Sequence, residues 1–188
     1  MTGDTGPGEM TEATTGLISH LTEHLGNDEA WRPALDALKR GDATLHLAVL
    51  GKPFLGPLLD GIKTIESRFS RVRHAPYEVL RPGDIVAVKQ PGGPVVGAFQ
   101  AGEVRNYRLT PGLINKIRGR FGQQIHAHDQ FWDDRADSRY ATLAVVAHPR
   151  TLPRFPFPKR DRRGWAVLTG RKRAGSPEAS NDSSRASG

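Results

Sequence analysis

Leu17, Ile18, Leu21 and Leu25 recur at helical spacing, and Gly26 stops the run. A second short helix carries Trp31, Leu35 and Leu38, with Gly41 as its terminator. Residues 45–50 (LHLAVL) form an apolar run of strand length. Phe54, Leu55, Leu58, Leu59 and Ile62 return to helical spacing near Gly61, and Pro57 inside that segment predicts a late start or a bend. Residues 63–69 (KTIESRF) alternate, with Thr64, Glu66 and Arg68 on one side and Ile65, Ser67 and Phe69 on the other. A turn at residues 81–84 opens a strand over 84–89, and Pro91-Gly92-Gly93-Pro94 leads into another over 95–104, which together read as a hairpin. Thr110 before Pro111 marks a helix start, and Leu113, Ile114, Ile117 and Phe121 form its apolar stripe. Asp129 is placed to cap a short turn bearing Phe131 and Trp132. Residues 140–148 and 164–169 complete the strands.

Strand, helix, several strands, helix, strands is not the repeating βα order of a doubly wound sheet. It predicts an α+β domain: a small mixed or antiparallel barrel with flanking helices over its openings. The expected organisation is a disordered leader over 1–14, an N-terminal helical extension over 15–41, the main domain over 42–169, and a disordered tail over 170–188. The two N-terminal helices are compatible with packing on the main domain or with docking a protein partner.

Composition sharpens this picture. In 188 residues, 37% are hydrophobic and the mean hydropathy is −0.50, low for a chain folded throughout. No apolar run reaches the ~18–20 residues of a membrane span. The first residues lack the basic and apolar regions of a secretory signal, so a soluble cytoplasmic protein, bacterial in composition, is expected. The absence of cysteine excludes disulfides, a thiol nucleophile and a thiolate zinc site. The net charge of +7 is uneven. Residues 1–40 sum to −4, whereas residues 150–173 hold nine Lys or Arg against Asp161 alone. Such a run is an electrostatic footprint for a polyanion, nucleic acid first.

Gly61-Ile62-Lys63-Thr64-Ile65-Glu66-Ser67-Arg68 matches the G-x-K-x-x-E-x-R signature of the ASCH (activating signal cointegrator homology) domain, which this chain resembles over about residues 45–169. The strand start at Gly83-Asp84-Ile85-Val86 and the closing Gly164-Trp165-Ala166-Val167-Leu168 are similar to it too. The resemblance implies a PUA-like β-barrel with a cleft lined by the signature, and RNA binding. It also implies, for some small bacterial members, RNA cleavage or hydrolysis of N4-acetylcytidine. Those hydrolases place a threonine three residues after the lysine, where this chain has Glu66.

Lys63, Glu66 and Arg68 are therefore the candidate nucleotide-binding set. Arg68 and Lys63 would meet phosphate or a base carbonyl, and Glu66 would accept from a base amino group. In an enzyme, Lys63 and Glu66 would be the catalytic pair. The competing structural reading is an ion pair that closes the barrel. Phe69 and Trp165 are candidate stacking residues, and Lys159, Arg160, Arg162 and Arg163 candidate phosphate contacts. His126, His128 and Asp129 cluster without a recognised ligand spacing, so no metal and no cofactor is expected. His46 and His74 read as structural singletons. The expected partner is RNA, with single-stranded DNA or a modified nucleoside as variants.

Overall fold

The strands assemble into one six-stranded sheet in the computed structural model, which describes residues 11–159 and 163–172. In chain order they are β1 (Leu45–Val49), β2 (Ile65–Ser70), β3 (Ile85–Lys89), β4 (Val95–Arg108), β5 (Tyr140–Phe155) and β6 (Trp165–Val167). The spatial order is β2-β5-β4-β3-β1-β6. Only β1 and β3 run parallel; the other pairs are antiparallel. The sheet curls into a half-barrel, so β2 and β6 are its two free edges.

β5 is longer than the run expected at 140–148, and it passes through Pro149 and Pro153. Both prolines fall where the β4–β5 register shifts, at positions where a strand needs no ladder N–H. His148, at φ 49°, marks the first of these bulges.

Among the described residues five helices cover the sheet: α1 (Glu12–Leu25), α2 (Arg32–Arg40), α3 (Leu55–Leu59), α4 (Pro111–Ile125) and α5 (Asp129–Asp133). Helix α1 starts inside the stretch expected as leader, because the Thr11 hydroxyl caps it by accepting from the Thr14 N–H. Gly41, at φ 82°, ends α2 in the left-handed conformation. The Pro57 conflict resolves through brevity: α3 is one turn, and its proline sits where a helix N–H has no partner. His128, not Asp129, occupies the N-cap of α5.

Side-chain alternation divides the apolar residues into three packed groups. Leu45, Leu47, Ile85, Ala87 and Ala98 face outward from the half-barrel and are covered by Leu17, Leu21, Leu25, Trp31, Leu35 and Leu38 of α1, α2 and their connection. The N-terminal helices are thus part of the core. Trp31 is fully buried and donates its indole N–H to His148 O at the β5 bulge. Arg150 and Asp28 pair at 2.8 Å beside it. The interior holds Ala48, Val86, Val88, Phe99, Ala144 and Trp165. Ile65, Ala141 and Leu143 pack against α4 and α5 through Ile114, Ile117, Phe121, Phe131 and Trp132.

Order also reaches beyond residue 169. Arg171 donates to Asp84 Oδ1 at 2.7 Å and to Asp42 O, and the Lys172 N–H donates to Gly41 O. Arg160, Arg162 and the tail from residue 173 lie outside the described residues. No helix among the described residues is long and apolar enough to cross a membrane.

Candidate nucleic-acid interface

Alternation along β2 puts Glu66 and Arg68 on one face, and the Arg68 Nε donates to Glu66 Oε1 at 2.7 Å. Lys63 lies just before the strand. Its Nζ donates to Ile65 O at 2.6 Å and Ile125 O at 3.0 Å, and stands 3.3 Å from Glu66 Oε2. That oxygen has no hydrogen bond of proper geometry, so its contact with Lys63 is an ion pair only. Burial pushes the Lys63 amine below its usual range; Glu66 opposes that shift and Arg68 adds to it.

Lys63 and Glu66 are each 2% exposed, whereas the Arg68 side chain is 21% exposed. This corrects the expected three-residue lining. Lys63 and Glu66 are sealed behind Arg68, because the lysine stem turns inward to satisfy two backbone carbonyls. Arg68 alone reaches solvent. Its two terminal nitrogens donate to Gly164 O at 3.0 Å and Val49 O at 3.1 Å. Those carbonyls precede β6 and end β1, so Arg68 bridges the two free edges of the half-barrel. The barrel-closing reading of the ion pair is realised here, and it sets where the opening lies.

Beside this bridge is a cavity of about 170 Å³, lined by Arg68, Phe69, Ser70, His74, Tyr77, Tyr140, Thr142, Gly164 and Trp165, among others. Arg68 lies over the Trp165 ring, 5.2 Å from its centroid. Tyr77 and Tyr140 meet edge to face at 5.0 Å. Phe69 touches the cavity, but its ring is engaged edge to face by Phe131 and Trp132.

Trp165 is fixed from behind. Its indole N–H donates to His46 Nδ1 at 3.2 Å. An indole is a donor only, so His46 Nδ1 is the acceptor and Nε2 carries the proton toward Asp84 Oδ2, 3.2 Å away. Asp84 also accepts from the Thr44 and Arg81 N–H groups and pairs with Arg171. Burial pushes the Asp84 carboxyl up, but His46 and the two backbone donors outweigh it and hold it below its usual range. His46 is thus structural, as expected, and Asp84 is a support that sequence reading took only as a strand start.

A second, wider cleft of about 870 Å³ meets the cavity at Gly164. The hairpin 89–94 forms one wall, and Pro156, Phe157, Pro158, Lys159 and Arg163 form the other. Lys89 is buried and donates to Gly93 O inside the hairpin, so it braces that wall. Of the expected phosphate contacts, Lys159 and Arg163 line this cleft. Elsewhere in the basic run, Arg150 pairs with Asp28 and Arg171 with Asp84.

The fold has crystallographic relatives. The ASCH protein from Zymomonas mobilis superposes with a TM-score of 0.54 at 15% sequence identity, over 66% of this chain and 87% of that one. A point mutant of the same protein gives 0.54 at 14% identity, over 68% and 89%. This chain has the ASCH fold. At that identity the likeness is one of fold, in accord with the signature at 61–68. No protein-family model and no curated protein matches the sequence. Relative to the ASCH reading of the sequence, the structure adds the Asp84–His46–Trp165 support and the aromatic wall at Tyr77 and Tyr140. Neither carries a local signal, because each joins residues far apart in the chain.

Proposed function

We propose that this ASCH-fold protein binds single-stranded RNA, holding one unstacked base in the cavity at Trp165 and Arg68. The adjoining strand runs along the cleft with Lys159 and Arg163. The observation that carries this reading is that an aromatic hollow and a basic cleft meet at one exposed residue, Gly164. Single-stranded RNA is read by aromatic or guanidinium faces, and its backbone by cations. The smaller hollow suits a single ring system, well below the ~300–1,000 Å³ of a drug-sized site. Thr142, Ser70 and His74 supply polar groups at its wall, as recognition of base edges requires.

The hydrolase reading lacks an accessible base or nucleophile in the signature. Lys63 Nζ is turned onto two carbonyls and a carboxylate, away from the cavity. Incubation with N4-acetylcytidine or labelled RNA is expected to give no turnover.

The binding test is titration of short labelled single-stranded RNAs into the protein, followed by anisotropy. Tyr140→Leu removes cavity wall without touching the Arg68 bridge. It is expected to weaken binding by about 1–3 kcal/mol, the worth of one stacked base. Equal affinity in wild type and Tyr140→Leu would remove the cavity from the reading, and absence of RNA binding by wild type would end it.

A further inference from the structure

His20, Glu23 and His24 stand one turn apart on α1, and one ligand atom from each lies within 4.8 Å of the others. We propose that they form a binding site for a divalent transition metal ion of the zinc class, holding it on the outer face of α1.

The donor set is two imidazoles and one carboxylate, which suits zinc and its neighbours rather than calcium or magnesium. Spacing at i, i+3 and i+4 places all three on one helix face. The rings of His20 and His24 are already adjacent, with centroids 4.5 Å apart at 67°.

A second, independent observation sets the tautomer of one donor. The His20 Nε2 is 3.0 Å from Pro153 O. A carbonyl only accepts, so Nε2 is the protonated nitrogen and Nδ1 presents the lone pair. Metal-binding histidines are held in this way, with the far N–H given to a backbone carbonyl. Phe155 packs on the same ring at 5.0 Å and limits its rotation. His20 is thus a half-buried, preset ligand, and Glu23 and His24 are exposed side chains able to close around an ion. Closure is needed, since ligand atoms around tetrahedral zinc sit roughly 3.3–3.5 Å apart.

Three protein ligands leave a fourth position open to water or to an anionic oxygen. His20 also ties α1 to the β5 segment at Pro153, whose continuation, Pro156 to Lys159, walls the basic cleft.

The experiment is zinc titration by calorimetry on untagged, chelator-stripped full-length protein, with cobalt absorption as a second readout. Wild type is expected to take up one ion, to develop cobalt d–d bands, and to melt at higher temperature with zinc present. His24→Ala and Glu23→Gln each alter an exposed position, and far-UV circular dichroism verifies that both fold. Each is expected to weaken zinc binding about tenfold or more, at least the cost of losing an outer partner. His126→Ala, at the C-cap of α4, is expected to leave it unchanged. No uptake by wild type, or uptake undiminished in His24→Ala, would overturn the proposal.

Discussion

Lys63 carries a buried charge whose partners are two carbonyls and one carboxylate. Replacing it with methionine would leave Glu66 with Arg68 alone and strand Ile65 O and Ile125 O. Breaking a buried pair in this way costs about 3–5 kcal/mol. Urea denaturation of Lys63→Met is expected to show that loss at neutral pH. A change below 1 kcal/mol would mean the ammonium is not anchoring β2.

Asp84 gives a pH signature. Its folded pKa lies below the ordinary 3.8, so its stabilisation is complete above that value and is lost as pH falls through the lowered one. Wild type is therefore expected to lose stability on acidification below about pH 4. Asp84→Asn is expected to start about 3–5 kcal/mol lower at neutral pH. Its deficit should shrink as pH drops, and parallel pH profiles for the two proteins would contradict the assignment.

At the scale of elements, the first two helices were legible as helices but not as core. Their leucine spacing predicts an apolar face without naming what it covers. The structure supplies that cover from β1, β3 and β4, and Trp31 locks the contact through His148 O. Trp31→Ala is expected to cost about 3–5 kcal/mol in urea denaturation, as for a large ring removed from a packed interior. A helical extension merely tethered to the domain would lose almost nothing.

Other misses have equally local causes. The prolines in β5 argue for an early strand end, since a ladder N–H is absent at each. Only the neighbouring strand reveals that bulges absorb them. The parallel β1–β3 pair is hidden because β3 is wholly buried and β1 is buried up to Val49, so neither shows the alternation that would reveal a face. By contrast, the alternation of 63–69 was readable directly, and it placed Glu66 beside Arg68 as found. What it could not give was the inward turn of Lys63, which depends on Ile125 from a distant helix. His20, Glu23 and His24 carry no signal of their own in the sequence for a related reason: they sit among the leucines of an ordinary amphipathic pattern.

For the whole molecule, the net charge of +7 overstates what is offered to a polyanion. Arg150 and Arg171 pair with acidic groups of the fold itself, while Lys159 and Arg163 line the cleft with the buried Lys89, and Arg68 lines the adjoining cavity. For single strands the salt slope is about −0.7 per phosphate neutralised. The paired change Lys159→Gln with Arg163→Gln is expected to flatten the slope of log affinity against log salt by about 1.4. An unchanged slope would move the phosphate path to another face.

The position of β6 has a consequence in time. Trp165 lies on this three-residue strand, which pairs with β1 only after the long β5 has been made. The first five strands thus precede the floor of the aromatic hollow along the chain. The base site proposed above is therefore complete only once β6, the last strand among the described residues, docks on β1.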